Sequence, residues 1–419
     1  MKQHSDNKNR VVITGMGLLT PIGNTVAETW ESLLENRIGI GKISQFDTAD
    51  FKAHLSGEVK NFDPTDFIDR KEARRMDRYC QMALAATDEA MHQSGLDIST
   101  CDKYRVGVIF GTGVGGIITF EQQVRDLAAK GTRSVSPIFI PKMISNIAPG
   151  QIAMRYQCTG DNYTVASACA SGTHAIGEAF RKIKDGYLDA CICGGSEACI
   201  TPVAIAGFAN MTALATTTDP TLASLPFDKK RNGFVLAEGC GMLVLESLEH
   251  ALKRGADIYG EVVGYGATSD AYHITSPSPD GHGAAKAMSL AMEEAGITAA
   301  EVDYINAHGT GTPVNDPFET TAIKIALGDD RARAIPINSS KSMTGHLLGA
   351  AGAFETIVTA LSIKHSVVHR TVGLTDPDPD CDLDYVASGN RQVDIRYALT
   401  NSLGFGGHNG TLCLAKYEG

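Results

Sequence analysis

The sequence of 419 residues contains one tryptophan, and no part of it is apolar over the length needed to cross a membrane. Its first residues, MKQHSDNKNR, have no apolar core like that of a secretory signal. We therefore expect a cytoplasmic protein with no membrane partner. Positive charge is also scarce, with 37 Lys and Arg against 48 Asp and Glu. The formal net charge of −11 argues against nucleic acid as a partner.

Ten cysteines in a chain of this length do not form a disulfide framework. Cys191, Cys193 and Cys199 lie close together, as metal ligands often do. However, they belong to the apolar run LDACICGGSEACI, and no second pair of ligands matches them. We interpret them as buried small hydrophobic residues, and we expect neither a metal nor a cofactor.

Strand-like and helical patterns alternate along the chain, which predicts an α/β fold. Three strand-like runs stand out in the first half, Val11–Met16, Val106–Phe110 and Leu188–Gly194. A long helical pattern covers Phe67–Gly95, and Ile38–Asp63 is polar and irregular.

The pattern restarts near residue 258. A strand at Ile335–Ser339 that enters a helix echoes the strand and helix of Thr164–Ile183. We predict two similar halves, residues 1–257 and 258–419, with no linker between them.

The stretch Thr164–Gly177, TVASACASGTHAIG, passes from a strand through a corner of small residues into a helix. Cys169 lies at that corner, at or just before the helix N-terminus. Unpaired N–H groups there favour an anion and lower the pKa of a thiol, so Cys169 is a candidate nucleophile. The alternative is a buried structural cysteine.

Two later motifs, NAHGTGTP and KSMTGHLLGAAGA, each place a histidine beside glycine. His308 follows a strand and is expected to point into a cleft, although a capping or core histidine would look similar. His346 is expected at the start of a helix, whose positive end keeps the imidazole neutral. Lys341 and Glu355 occur at the two ends of the second motif, where a buried pair would order it. The alternative for Lys341 is a solvated surface lysine.

The run Gly111–Gly116, GTGVGG, resembles a phosphate loop only superficially, because the Gly-Lys-Ser/Thr ending is missing. We interpret it as a tight turn beside a cavity.

Together, these motifs resemble the β-ketoacyl-[acyl carrier protein] synthases, elongating condensing enzymes of the thiolase superfamily. The likeness also includes PFDKKRNGFVLAEG, GYGATSDAYHITSP and NSLGFGGHNG, and so covers essentially the whole chain. Thiolases replace one histidine role with a second cysteine, and initiating synthases show a His/Asn pair. The resemblance implies a thiolase-like fold with α-β-α-β-α layers and a homodimer.

The resemblance also implies roles for individual residues. Cys169 would carry the acyl group, and His308 and His346 would stabilise the enolate left when malonyl loses CO₂. Lys341, paired with Glu355, would order the site. Two further implied roles are a gate with an oxyanion-hole N–H at Phe405 and pantetheine binding by Thr310 and Thr312.

A basic cluster accompanies this pattern. Arg70, Lys71, Arg74, Arg75 and Arg78 recur at helical spacing, which predicts one basic helix face. The resemblance implies an acidic acyl carrier protein as partner. Lys71, Arg74 and Arg75 match the positions at which synthases of this family bind that carrier protein. A solvated charged face is the alternative.

Three positions depart from the commonest pattern of the family, namely Ser171, Gly311 and Leu403. Because of these departures, the sequence does not define the acyl-chain preference. A specialised polyketide ketosynthase is therefore an alternative. A thiolase, a synthase using CoA substrates and a silent chain-length subunit are further alternatives. The two histidines argue against a thiolase and against a synthase that uses CoA substrates. The presence of Cys169 argues against a silent chain-length subunit.

Overall fold

The computed structural model describes residues 9–419, which form a mixed α/β structure. The strands are β1 (Val11–Leu19), β2 (Ile40–Lys42), β3 (Leu55–Gly57), β4 (Val106–Gly111), β5 (Asn162–Val165), β6 (Ala190–Glu197), β7 (Gly239–Ser247), β8 (Gly260–Ser269), β9 (Tyr304–Asn306), β10 (Ile337–Asn338), β11 (Val367–Val368), β12 (Arg391–Gln392), β13 (Tyr397–Gly404) and β14 (His408–Ala415). The α-helices are α1 (Val26–Leu34), α2 (Arg70–Ala73), α3 (Arg78–Ser94), α4 (Ile117–Lys130), α5 (Phe139–Met143), α6 (Ile147–Tyr156), α7 (Ser171–Lys184), α8 (Pro202–Asn210), α9 (Leu248–Lys253), α10 (His282–Ala295), α11 (Asn315–Leu327), α12 (Asp329–Ala334), α13 (Lys341–Thr344) and α14 (Ala351–His365).

Ten of the strands form one sheet in the order β10-β9-β13-β14-β8-β1-β7-β6-β4-β5. This sheet consists of two sets of five strands with the same internal order. Numbered along the chain within each set, both read 3-2-4-5-1 from the outer edge inward. The sets meet where β1 and β8 pair antiparallel over three residues. The observed order shows the repeat, while the boundary at residues 257 and 258 stays a prediction.

Helices cover both sets of strands and also separate them, which gives the predicted α-β-α-β-α layers. The outer helix α3 packs on β1 and β7, and α10 packs on β8 and β14. Between the two sets lie α7 and α14, which contact each other. From Ala351 to Ile363, α14 is buried throughout, because it has a sheet on either side.

Small residues let the two central helices approach closely. A Cβ placed on Gly172 would lie 2.9 Å from the backbone nitrogen of Ala353, and one on Gly352 would lie 2.0 Å from Oγ1 of Thr173. Any larger residue would force the helices apart. The glycines in the cysteine motif and in the His346 motif therefore serve packing between the two halves.

Two sequence-based expectations about the first hundred residues are wrong. The pattern over Phe67–Gly95 is not one helix, because the chain breaks between α2 and α3 and Asp77 caps the second helix. The segment Ile38–Asp63 contains the small hairpin of β2 and β3. Within residues 9–419, no helix combines the length and the hydropathy needed to span a membrane.

Candidate active site

Cys169 lies in the turn between β5 and α7, as the sequence predicts. The preceding residue, Ala168, has a φ of +50°, a left-handed conformation that is strained for a residue with a side chain. The hydroxyl of Ser171 stabilises the turn, because it donates to the carbonyl of Ala168 at 2.7 Å and accepts from the backbone N–H of Ser167 at 2.9 Å. The turn places Cys169 just before the first helical residue, with its side chain in a cavity.

The expected effect of the helix on the Cys169 thiol is wrong in direction. Burial raises the pKa of Cys169 to about 12, although Lys341 and the N–H groups of Phe405 and Cys169 itself act to lower it. The side chains that enclose the sulfur come from distant parts of the chain, so the sequence around Cys169 did not reveal this burial. The resting group is therefore a neutral thiol.

The cavity around Cys169 has a volume of about 550 Å³ and is lined by residues of both halves. It brings together six of the residues singled out in the sequence, namely Cys169, His308, Thr310, Thr312, His346 and Phe405. Their chemical roles stay predictions, but their common location is observed. The two imidazole rings lie 5.2 Å apart between centroids and are nearly perpendicular, at 83°.

His308 follows β9, and its ring contacts a buried ammonium group. Nζ of Lys341 lies 3.4 Å from Nδ1 of His308. Since an ammonium group can only donate, Nδ1 is the acceptor and the ring proton belongs on Nε2. Burial, with Lys341 and His346, lowers the pKa of His308 well below its ordinary value. His308 is thus a neutral ring with one N–H available to a ligand.

His346 is also neutral. It lies just before a helical start, as expected, because the 3₁₀ turn Leu348–Ala350 leads directly into α14. Its backbone N–H donates to the carbonyl of Val235 at 2.7 Å. Burial, followed by the charge of Lys341, lowers its pKa well below the ordinary value.

Lys341 and Glu355 form an ion pair that is almost fully enclosed. The surface alternative for Lys341 is therefore wrong. Burial raises the pKa of Glu355 to about 7, against the opposing effect of Lys341. Neither residue lines the cavity, and the pair contacts His308 through Nζ of Lys341.

Two buried carboxylates that the sequence analysis missed fix the glycine-containing loops. Glu319 accepts from the backbone N–H groups of His308 and Gly309, both at 2.8 Å. Glu197 accepts from the N–H of Gly113 at 2.7 Å and from the hydroxyl of Thr112 at 2.8 Å. The run Gly111–Gly116 is therefore a turn beside the cavity, and its N–H groups bind a side chain of the protein. Glu197 is the last residue of β6, and an acid at the end of an apolar strand was the only signal for it.

Phe405 lies half-buried at the cavity and packs against Phe208, with ring centroids 6.5 Å apart. It is followed by Gly406, whose φ of +89° favours glycine. Thr310 and Thr312 lie toward the mouth, beside the exposed Pro313 and Val314, with their hydroxyl oxygens 3.0 Å apart.

Two family models match the chain. The family model for the N-terminal domain of β-ketoacyl synthases matches residues 8–251, and that for the C-terminal domain matches residues 259–375. The chain belongs to the β-ketoacyl synthase family.

Relatives within the β-ketoacyl synthases match the chain over nearly its whole length. It is 51% identical to 3-oxoacyl-[acyl-carrier-protein] synthase 2 of Synechocystis sp., over 98% of this chain and 99% of that protein. It is 52% identical to the Staphylococcus aureus (strain COL) protein of the same name, over 99% and 100%. A solved type II polyketide synthase acyl-carrier protein in complex with its ketosynthase matches with a TM-score of 0.90 and 34% identity, over 98% and 100% of the two chains.

The basic cluster of this β-ketoacyl synthase is not one helix face, which corrects the sequence prediction. Arg78 belongs to α3 and pairs with buried Glu238 through two hydrogen bonds of 2.8 and 2.7 Å. The other four residues are exposed around α2, and none forms an ion pair with another residue of the described range 9–419. They are Arg70, Lys71, Arg74 and Arg75, called the α2 basic surface below.

Proposed function

We propose that the protein joins an acyl group held on Cys169 to malonyl-[acyl carrier protein], with loss of CO₂, in fatty acid elongation. The observation that carries the proposal is the cavity in which one cysteine faces two neutral imidazoles. The products are 3-oxoacyl-[acyl carrier protein], CO₂ and free carrier protein. Dividing the reaction between two acyl transfers gives a ping-pong scheme.

In the first half-reaction, the Cys169 sulfur attacks the thioester carbonyl of an acyl-carrier. The carbon–sulfur bond to pantetheine breaks, and the departing sulfur takes the proton that the thiol gives up. The backbone N–H groups of Cys169 and Phe405 both point toward the Cys169 sulfur as hydrogen-bond donors. They stabilise the oxyanion of the tetrahedral intermediate. Phe405 is proposed to gate this step.

In the second half-reaction, the malonyl carbon–carbon bond breaks and releases CO₂, which leaves an enolate. The Nε2–H of His308, set by Lys341, donates to the enolate oxygen, and His346 supplies the second donor. The enolate carbon then attacks the acyl thioester and expels the Cys169 thiolate. Because burial raises the pKa of this thiol, the thiolate readily takes up a proton afterwards.

An acidic carrier protein with a phosphopantetheine arm is the proposed partner. The unpaired cations of the α2 basic surface, in particular Lys71, Arg74 and Arg75, suit an acidic surface. Thr310 and Thr312 at the cavity mouth suit the polar groups of pantetheine. The solved complex mentioned above pairs a ketosynthase with an acyl-carrier protein, which supports the same class of partner.

We further propose a homodimer. Strand β5 is an edge strand of the ten-stranded sheet, with its outer side unpaired in the described chain. On α4, Phe120, Val124 and Leu127 form an exposed apolar stripe. A second copy that covers both features would bury them, and light scattering of Val124→Asp against wild-type protein tests this. Cytoplasmic localisation stays a prediction.

A polyketide ketosynthase is the second candidate, because the polyketide complex shares the fold with a TM-score of 0.90. The test is one assay, in which purified protein receives malonyl-carrier and acyl-carriers of graded length and products are identified by mass spectrometry. Extension of saturated acyl-carriers by two carbons supports fatty acid elongation. Extension of polyketone chains alone supports the second candidate, and no product with any acyl-carrier would contradict both.

The matched control for this assay is a pair of cysteine variants. Cys169→Ser should lose elongation, whereas Cys101→Ser, which changes the one cysteine that is not buried, should retain it.

A further inference from the structure

Cys101 differs from the other nine cysteines because it alone is only partly buried. It lies in the connection between α3 and β4, outside the cavity of Cys169. Its Sγ is 3.7 Å from Nε2 of His250, within hydrogen-bonding range for sulfur. It also lies 3.4 Å from the carbonyl oxygen of Asp97. A thiol and an imidazole therefore meet at a second place in the molecule.

The imidazole of His250 is oriented by a buried carboxylate. Its Nδ1 is 2.5 Å from Oε2 of Glu246, a residue with no exposed surface. Glu246 also accepts from Nε and Nη2 of Arg254, at 2.9 and 2.5 Å, and from the hydroxyl of Thr14 at 2.5 Å. Burial raises the pKa of Glu246, but the bonds from Arg254, His250 and Thr14 outweigh burial and lower it to about 2.

An ionised Glu246 has one consequence for His250. The carboxylate accepts the Nδ1–H, so in the neutral form of the ring the lone pair belongs to Nε2, which faces the sulfur. A nucleophile, a base in contact with it and a third group that orients the base form the arrangement of activated nucleophiles in enzymes. Cys101, His250 and Glu246 have that arrangement, and we call them the Cys101 relay.

The Cys101 relay is remote from the cavity. In the pairing of β6 with β7, Glu246 lies opposite Ala190, whereas Gly239 lies opposite Glu197, which lines the cavity. The two pairs are seven residue steps apart along the strand, which corresponds to roughly 23 Å at about 3.3 Å per residue. The relay therefore occupies the other end of the strands and has no part in the condensation proposed above.

We propose that Cys101 is a second nucleophile, a site of covalent modification by small soft carbon electrophiles, with His250 as its base and Glu246 orienting that base. With iodoacetamide, the sulfur–carbon bond forms as the carbon–iodine bond breaks. Iodide leaves, and the thiol proton passes to Nε2 of His250. No oxidant, metal or cofactor is needed for this step.

The resting state of the thiol makes His250 necessary. Burial, with the nearby Glu246 carboxylate, raises the pKa of Cys101, so the sulfur carries its proton before reaction. The labelling rate distinguishes a thiol whose reactivity depends only on its exposure from one whose reactivity depends on a base. Removal of the His250 ring opens the site, so exposure alone predicts faster labelling and base assistance predicts slower labelling.

The test uses the full-length protein, limiting iodoacetamide and mass spectrometry of each cysteine peptide over time. Cys101 should be alkylated ahead of the nine buried cysteines. His250→Gln should slow its alkylation by roughly 100-fold, the lower end of what a general base contributes. The matched control, His282→Gln, alters an exposed histidine of the other half and should leave the rate unchanged.

Chemical rescue separates base assistance from a structural role. In His250→Ala, added free imidazole should restore the alkylation rate of Cys101, and elongation activity should match wild type. If this variant unfolds, all ten cysteines will be labelled, and His250→Gln, which can still donate to Glu246, then carries the measurement. Labelling of Cys101 in His250→Gln at or above the wild-type rate would overturn the proposal.

Discussion

The two halves of the molecule share one strand order but deliver different chemistry to the cavity. In the N-terminal half, the third strand, β5, leads into the Cys169 turn and then α7. In the C-terminal half, the third strand, β10, leads through Lys341 and His346 into α14. The same path of the backbone thus ends in a thiol on one side and, on the other, in the His346 imidazole and the ion pair that contacts His308.

The second strands differ in the same way. Strand β4 continues into Gly111–Gly116, which has no ionisable side chain, whereas β9 continues into His308. A buried carboxylate accepts backbone N–H groups in both loops, Glu197 in the first and Glu319 in the second. The comparison teaches that the repeated fold provides loop positions and close helix packing, and that residue type at those positions decides the chemistry.

The largest expected effect comes from removing the imidazoles of the C-terminal half. His308→Ala and His346→Ala should each lose about 100- to 1000-fold in malonyl decarboxylation, because each removes one of the two proposed donors to the enolate oxygen. Transfer of an acyl group to Cys169 should survive in at least one of them. Release of CO₂ from malonyl-carrier and mass-spectrometric detection of acyl-Cys169 measure the two halves separately. Equal loss of both reactions in both variants would contradict the assignment of decarboxylation to the histidines and of acyl transfer to Cys169.

The next effect concerns the ion pair behind His308. Lys341→Met should lower the free energy of unfolding by about 3–5 kcal/mol, because it leaves Glu355 buried without its partner. Denaturant unfolding measures this. Burial raises the pKa of Glu355 to about 7 in the wild-type protein, and loss of the Lys341 charge raises it further, so the destabilisation relative to wild type should grow as the pH rises above about 7.

The control for this variant is the double change Lys341→Met with Glu355→Leu. Removing both charges should recover most of the stability, but not the decarboxylation rate, because the His308 ring has lost the donor to Nδ1. A double variant with wild-type decarboxylation would show that the pair is only structural.

The residues at and around this site differ in how far the sequence could predict them. The small residues around Cys169 indicated the turn correctly, because turn formation depends on near neighbours. The pKa of the same thiol was predicted wrongly, since its burial depends on residues such as Phe208, Phe234 and Phe405. Arg78 was assigned to an exposed face, although its partner Glu238 lies 160 positions away. Contacts of that range have no local pattern from which to predict them.

A smaller effect should come from the α2 basic surface, which has no counterpart in the C-terminal half. The segment before α3 carries Arg70, Lys71, Arg74 and Arg75, whereas residues 270–281, before α10, contain no Lys or Arg. Arg74→Glu with Arg75→Glu should raise the KM for acyl-carrier by roughly tenfold, with kcat unchanged. Added salt should have the same effect on the wild-type protein through screening.

The matched control places the same change in charge on the other half. Lys286→Glu with Lys416→Glu alters two exposed lysines and should leave the KM for acyl-carrier at its wild-type value. An equal rise in both double variants would mean that net charge alone governs the association, and that the α2 basic surface is not a docking site.

The smallest expected effect is a flat pH profile. Because burial and Lys341 lower the pKa values of His308 and His346 well below 6.5, both rings stay neutral at and above that pH. The decarboxylation rate should therefore change little between about pH 6.5 and 8. A rate that fell about tenfold for each pH unit in this range would indicate an imidazolium, and would contradict neutral donors.

The proposed partition of chemistry between the halves is tested most directly by Cys169→Gln. This variant removes the proposed nucleophile and places an amide where an acyl thioester would be. The measurement is CO₂ release from malonyl-carrier alongside formation of 3-oxoacyl-carrier, with His308→Ala in the same background as control. We predict that Cys169→Gln forms no condensation product and still releases CO₂, and that adding His308→Ala abolishes the release. Continued condensation by Cys169→Gln, or CO₂ release that is indifferent to His308, would contradict the assignment of the thiol to one half and the oxyanion donors to the other.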